Sequence, residues 1–171
     1  MSFKDRFQAF AEQGFSLLEL MIAVSIIAIL ALLAIPSFQD RIVRPQIVEG
    51  IGLANLAKQA VSGFYANTHQ LPLDNTVAGL PPADRIVANN VSSIAVRSGA
   101  IDITFGNKAS GSIAGKVLTL RPAVVPEYPL VPVAWVCGYA AIPDKMTVDS
   151  SNATTVPAPL LPLECRGTGQ T

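Results

Sequence analysis

One carboxylate stands at the edge of a long apolar segment, and of all the residues in this chain it has the clearest potential for chemistry. Glu19 is followed by residues 20–39, which contain no charged side chain. About 20 apolar residues in a helix cross the hydrocarbon core of a bilayer. An acid near the centre of such a helix costs roughly 2.5–3.5 kcal/mol on insertion scales, so a retained acid is a functional candidate that needs a partner. The alternative is that Glu19 lies at the lipid headgroups and reaches water.

The rest of the chain offers little for catalysis or for metal binding. His69 is the single histidine, which leaves no base-oriented nucleophile, and no glycine-rich loop opens a helix to hold phosphate. Cys137 and Cys165 are not a CxxC pair, and with one histidine they make no zinc set. Three acids near the C-terminus match no calcium-loop spacing: Asp144, Asp149 and Glu164. We therefore predict no catalytic residues, no enzymatic activity, no metal and no cofactor.

The residues around Glu19 form a specific pattern. A short polar leader ends at Gly14, Phe15 follows, Glu19 lies four positions later, and Pro36 closes the apolar run. This combination resembles the N-terminal signature of type IV pilins and of the related pseudopilins. The resemblance implies that a prepilin peptidase cuts between Gly14 and Phe15 and methylates the Phe15 amine. It further implies roles for Phe15, Glu19 and Pro36 in subunit assembly. The leader of 14 residues is longer than in the simplest subclass, so the subclass stays open.

Two other interpretations of the N-terminus compete with this one. An ordinary secretory signal peptide would use Lys4 and Arg6 as its basic region and Ala31 or Ala34 as its cleavage site. Acids in the leader cancel those positive charges, however, and the apolar run is longer than a normal signal core. A plain single-pass anchor is the better rival. Basic residues lie on both sides of the run, so the positive-inside rule gives no orientation.

Composition is typical of an exported filament subunit more than of an enzyme. Of 171 residues, 50% are hydrophobic and only 14% are charged, and acids and bases balance at 12 each. No basic block predicts a nucleic-acid face. We expect a leader over residues 1–14, a helix over 15–66 and a globular head over 67–171, which is large enough for one modest core.

Beyond Pro36, apolar residues recur at helical spacing and predict an amphipathic second half of the helix. The predicted stripe consists of Val43, Ile47, Ile51, Ala54, Ala57, Val61 and Phe64. Pro36 and Pro45 lack the amide hydrogen, so we expect a kink or local melting at each. Gly50 and Gly52 add flexibility.

The head is predicted to be a loop followed by a small sheet. Prolines and glycines mark residues 67–91 as a loop. Strand patterns follow at residues 93–96, 100–105, 116–124 and 133–140. The predicted fold class is α+β: a long N-terminal helix, half hydrophobic and half amphipathic, packed on a small antiparallel sheet. One sheet face should cover the amphipathic half-helix and the other should face solvent.

An even number of cysteines in an exported chain favours a disulfide between Cys137 and Cys165. In the chain-entropy model, closing this loop stabilises the fold by about 3.5 kcal/mol. Two free thiols are the alternative. The placement resembles the cysteine-bounded C-terminal loop of type IV pilins, which is often an exposed, variable surface used in adhesion or subunit contact.

The resemblance implies a structural subunit of a type IV pilus, most simply the major one. It implies that the chain is an inner-membrane precursor in lipid and then part of the extracellular fimbrium of a Gram-negative bacterium. The implied partners are other copies of the chain, prepilin peptidase and the inner-membrane assembly machinery. The fibre would serve adhesion to a host surface, twitching motility or DNA uptake. Alternatives are a type II secretion pseudopilin, a minor pilin and a monomeric membrane-anchored binding domain.

Overall fold

The computed structural model describes residues 16–167, without the side chains of residues 32–41. Its contacts divide the chain into two compact units, Met1–Gln39 and Asp40–Thr171. Two helices come first, α1 over Leu17–Leu53 and α2 over Asn55–Thr68. Over the residues that the structure describes, no helix combines the length and the apolar character needed to cross a bilayer. The domain boundaries at residues 14/15 and 66/67 stay a prediction.

The second unit contains one antiparallel sheet of four strands in the order β1-β2-β3-β4. The strands are β1 Val91–Arg97, β2 Ala100–Phe105, β3 Val117–Ala123 and β4 Ala134–Cys137. Each overlaps a predicted strand segment, and β1 extends beyond the predicted 93–96 at both ends. Between α2 and β1 the chain forms a loop with one 3-10 turn, Ala83–Arg85. The α+β fold class is therefore confirmed.

The β1–β2 connection is a two-residue hairpin turn. Arg97 pairs with Ala100, and the two residues between them, Ser98 and Gly99, have φ values of 49° and 81°. Two consecutive positive φ angles define a type I′ turn, whose twist matches that of the flanking strands. Gly99 is also constrained by space, because a Cβ there would lie 2.9 Å from the Leu71 Cβ.

The core lies between the helices and one face of the sheet. Cross-strand pairs such as Ile101 with Leu120 and Ile103 with Leu118 supply its sheet side. The helix side is the predicted stripe, of which Val43, Ile47, Ala54, Ala57 and Val61 are buried. At the C-terminal end the prediction is wrong by one position, because Tyr65 is buried and Phe64 is only half-buried. Both lie on the same side of the helix, three and four residues after Val61.

Of the kink or local melting expected at each proline, local melting does not occur. Helix α1 is continuous from Leu17 to Leu53, which includes Pro36 and Pro45. A proline removes one hydrogen bond, and the flanking bonds still hold the backbone. The interruption falls at Ala54, which separates α1 from α2. Hydrogen bonds bridge it, from Ala54 N to Gly50 O at 3.0 Å and from Lys58 N to Ala54 O at 2.9 Å.

Gly50 allows the first helix to pack closely against the sheet. It is buried against the sheet, and a Cβ at this position would lie 2.9 Å from Phe105 Cε1 and 3.2 Å from Ile103 Cγ2. The helix can therefore approach β2 only because residue 50 has no side chain. The sequence predicted added flexibility from this residue, whereas the structure gives it a packing role.

The second face of the sheet is not fully exposed to solvent, contrary to the prediction. Thr119, at its centre, is 0% exposed, and Ser150 in the C-terminal loop is 7% exposed. The loop covers this face because its backbone bonds to the sheet: Ala153 N donates to Thr119 Oγ1 at 3.1 Å. The polar centre of the face is thus enclosed by the chain itself.

Candidate functional site

The N-terminal part of α1 exposes apolar side chains in every direction. Leu17, Leu18 and Ile27 are 75%, 69% and 65% exposed. Seven more apolar side chains there are at least half exposed: Leu20, Met21, Ile22, Val24, Ile26, Ile29 and Leu30. A helix that is apolar on all sides needs an apolar environment all around it, either lipid or other proteins. This exposed apolar segment, residues 17–30, is the first candidate functional surface.

Among residues 17–30, Glu19 and Ser25 are the polar side chains. The Ser25 hydroxyl donates to the Met21 carbonyl at 2.7 Å, so it is satisfied within its own helix. Glu19 lies in the first turn of α1 and is exposed. An acid there interacts favourably with the positive end of the helix dipole. Its carboxylate is therefore the polar group of this segment that is available to another molecule.

The other predicted processing and assembly residues lie wholly or partly outside the described part of the chain. Gly14 and Phe15 lie outside the described residues. Pro36 lies within α1, but its side chain is outside the described part. The apolar run that Pro36 closes likewise extends beyond the residues whose side chains are described. Cleavage after Gly14 and the assembly roles of Phe15, Glu19 and Pro36 remain predictions.

The second candidate surface is the C-terminal loop bounded by the cysteines. Cys137, the last residue of β4, is bonded to Cys165, with the two Cα atoms 4.6 Å apart, which confirms the predicted disulfide. Beside it, Tyr139 N donates to Cys165 O at 2.9 Å. Val156 and Leu161, inside the loop, are 0% exposed and belong to the core. The loop is therefore partly a core element and not only a surface segment.

A polar network fixes the loop to the sheet. Arg97 Nε lies 2.9 Å from Asp102 Oδ2, and Arg97 Nη1 donates to Ser151 Oγ at 2.8 Å. The Thr119 hydroxyl donates to Asp102 Oδ1 at 2.7 Å and accepts from Ala153 N. Charged partners strengthen such hydrogen bonds. The network therefore joins β1, β2 and β3 to residues 151–153.

The loop also extends the sheet where β4 has ended. Val117 N donates to Thr155 Oγ1 at 2.8 Å, and Thr155 N donates to Val117 O at 2.8 Å. The Tyr139 hydroxyl donates to Thr154 O at 3.1 Å. Residues 154–156 thus satisfy backbone groups of β3 that β4 does not reach. Sequence reasoning missed these contacts, because threonines in a proline-rich loop carry no strand pattern.

A groove of about 550 Å³ lies at the C-terminal end of α2. Its lining includes Tyr65, His69, Ser98, Val124 and Asp149. Serine, histidine and aspartate share this groove, yet within the described chain no hydrogen bond joins any two of them. They therefore lack the oriented contacts of a catalytic triad. Among residues 16–167, no group of three or more potential ligands is arranged to hold a metal ion.

Comparisons with known proteins agree with this geometry. The family model described as pilin, a bacterial filament protein, matches residues 43–166. The prokaryotic N-terminal methylation motif matches residues 10–35, which contain Gly14, Phe15 and Glu19.

Curated relatives cover most of the chain. A type IV major pilin protein, PilE1, of Neisseria gonorrhoeae is 34% identical over 160 residues, covering 91% of this chain and 94% of the relative. A fimbrial protein of Neisseria meningitidis serogroup B is 33% identical over 148 residues, covering 86% of this chain and 85% of the relative. The fimbrial protein EcpC of Eikenella corrodens is 37% identical over 115 residues, covering 64% of this chain and 74% of the relative.

Proposed function

This chain belongs to the type IV pilin family and is a structural subunit of a type IV pilus, and from that premise we propose how its N-terminus assembles. Prepilin peptidase removes residues 1–14 and methylates the Phe15 amine. That amine then pairs with the Glu19 carboxylate of a neighbouring copy in the filament. The pairing joins two opposite charges in an apolar bundle, where each would otherwise be buried alone. It also sets the axial register, because a copy displaced by one turn leaves both charges unpaired.

The observation that supports this proposal is the exposed apolar segment with a single acid in its first turn. Residues 17–30 have no cover within the described chain, and the hydroxyl of Ser25 is already satisfied. Glu19 alone offers a charge to a neighbour. In an apolar medium a charge of this kind is stabilised only by a partner of opposite sign or by hydrogen bonds.

The same proposal assigns partners and locations. Before assembly, residues 15–36 lie in inner-membrane lipid, and the inner-membrane assembly machinery moves the subunit into the fibre. The assembled fibre is extracellular on a Gram-negative bacterium. The relatives named as fimbrial protein and major pilin support a major subunit over a minor pilin or a pseudopilin. Membership in a filament family also supports a structural, non-enzymatic role. Adhesion and twitching motility, with DNA uptake, are the activities proposed for the fibre.

Substitution of Glu19 tests the pairing. Glu19→Ala is expected to leave the subunit processed and membrane-inserted, since the segment only becomes more apolar. Fibre yield should fall sharply, because a buried amine without its partner costs about 3–5 kcal/mol. Glu19→Gln should be nearly as defective, because the amide keeps the shape and loses the charge. The measurement is the amount of sheared fibre relative to the membrane pool of processed subunit.

Ser25→Ala is the matched control. It removes a polar group from the same helix, one that bonds only within that helix, and should leave fibre yield unchanged. Normal fibre yield from both Glu19 variants would place Glu19 at the lipid headgroups and refute the pairing.

A further inference from the structure

One edge of the sheet is the outer side of β1. The segment that connects α2 to β1 lies along this edge. β1 is the first strand of the sheet, so it has a strand neighbour on one side only. Arg97 and Ala100 pair across the two-residue turn, and the register places Ala95 opposite Asp102. Antiparallel pairs alternate between bonded and non-bonded. The N–H and C=O groups of Ile94 and Val96 therefore point away from β2, toward the free edge.

Asn75 bonds to these edge groups. Its Oδ1 accepts from Val96 N at 2.6 Å, and its Nδ2 donates to Ile94 O at 3.0 Å. Nδ2 also donates to Pro81 O at 2.9 Å. A side-chain carboxamide carries the same donor and acceptor as a peptide group. Asn75 is 8% exposed and makes the two hydrogen bonds that a residue of an added strand would make.

The segment around Asn75 is itself held in place. Ser98 N donates to Leu73 O at 2.9 Å, and Gly99 N donates to Pro72 O at 2.8 Å. Asp74 Oδ1 accepts from Val77 N at 2.8 Å. Residues 72–75 therefore run along the end of β1 and the turn that follows it, and they bond to two backbone groups of β1 and two of the turn. We call these four residues the edge cover.

The composition of β1, which the edge cover protects, favours pairing with another strand. β1 reads VSSIAVR, with one charge at its last position and no proline. Such segments add readily to other strands when their edge is open. A pilus holds many copies of the head side by side, which raises their effective concentration.

We propose that the edge cover keeps β1 from pairing with an extended segment of a second copy of this chain, and that Asn75 is the residue on which this protection depends. The side-chain amide occupies in cis the hydrogen-bonding positions that β-strand addition would use in trans. The inference goes beyond the assembly proposal above and does not depend on the Phe15–Glu19 pair.

The test compares full-length processed subunits in detergent micelles. Asn75→Ala should make the Val96 amide exchange with deuterium at least about tenfold faster, since a buried hydrogen bond is lost. It should also associate, in sedimentation experiments, at concentrations where the unchanged chain stays one copy per micelle. Asn75→Asp is the second variant, used if the alanine variant fails to fold. It keeps the side-chain volume and the acceptor for Val96 N but loses the donor to Ile94 O. It should show the same two effects more weakly. Asn67→Ala is the control, because the exposed Asn67 side chain bonds, among the described residues, only to Gly63 O within its own helix.

A second substitution separates edge pairing from general loosening. Ser93 lies on β1, opposite Thr104, and lysine on an edge strand opposes strand addition. Asn75→Ala combined with Ser93→Lys should return to one copy per micelle while Val96 still exchanges fast. Association that persists in the double variant, or Asn75 variants that neither associate nor exchange faster, would overturn the proposal.

Discussion

Thr119 and Asp102 face each other across β2 and β3, and the Thr119 hydroxyl donates to Asp102 Oδ1 at 2.7 Å. The hydroxyl oxygen of Thr119 also accepts a hydrogen bond from Ala153 N at 3.1 Å. One fully buried hydroxyl thus connects an acid of the sheet to the backbone of the C-terminal loop. The loop is held at its centre as well as at its disulfide.

Thr119→Val should therefore destabilise the fold. Valine keeps the shape but leaves Ala153 N and Asp102 Oδ1 without this partner, which costs about 1–3 kcal/mol. The measurement is the urea midpoint of the full-length subunit in detergent. Thr104→Val is the control, because Thr104 lies on the same face and its hydroxyl makes no hydrogen bond within the described chain. Equal midpoints for the two variants would show that the Thr119 contact contributes little.

Loss of the disulfide should lower stability without releasing the loop completely. Replacing Cys137 and Cys165 together by serine removes a cross-link worth about 3.5 kcal/mol in the chain-entropy model. Val156 and Leu161 stay in the core, so the hydrogen-bonded amides of residues 153–156 should remain protected from exchange. In cells, the serine variant should be less abundant than the unchanged subunit, and this loss should appear before any change in what the fibre binds. Two alkylatable thiols in unreduced native fibres would contradict the disulfide itself.

Gly138→Ala should be more harmful than Gly115→Ala. Both glycines have positive φ, 53° and 74°, so each alanine bears a left-handed backbone cost of about 1–2 kcal/mol. At Gly138 the new Cβ would also lie 2.9 Å from the Cys165 carbonyl oxygen, whereas at Gly115 nothing lies within 4 Å. We expect a further loss of about 1–3 kcal/mol at Gly138. Matched thermal denaturation of the two variants measures the difference, and equal losses would show that the chain next to the disulfide can move aside.

Processing has a direct mass signature. The mature subunit should start at methylated Phe15. The intact mass of the subunit from purified fibres should therefore equal that of residues 15–171 plus one CH2, because the methyl group replaces an amine hydrogen, and less two hydrogens for the disulfide. A mature start near Ala31 or Ala34 would restore the ordinary signal peptide. Such a start would also remove Glu19 from the fibre. The mass measurement can therefore contradict the proposed assembly without any Glu19 variant.

Periodicity predicted the elements of the fold well. Val43, Ile47 and Val61 are buried as the helical spacing indicated, because one apolar stripe can only face the sheet. The spacing could not choose between Phe64 and Tyr65, since both follow Val61 on the same side. It also could not reveal that Gly50 is needed for the approach of Phe105, because a glycine in a helix carries no sign of what packs against it.

Long-range hydrogen bonds were beyond sequence reasoning. Asn75 sits in a segment that the sequence marks only as a turn, and its partners Ile94 and Val96 lie 19 and 21 residues away. The Thr119 contact to Ala153 spans 34 residues. Local patterns carry no information on such pairs. Glu19 was found because an acid beside an uncharged run of this length is unusual in itself.

The core residues Val156 and Leu161 limit where the surface sequence of this protein can change. Residues 141–145 are all exposed, whereas Val156 and Leu161 are 0% exposed. A peptide tag inserted at 143–144 should therefore be displayed with the fold intact, while the same tag at 157–158 should push two core side chains apart. Within one cysteine-bounded loop, the exposed residues 141–145 can accept new sequence, whereas Val156 and Leu161 are fixed by the core.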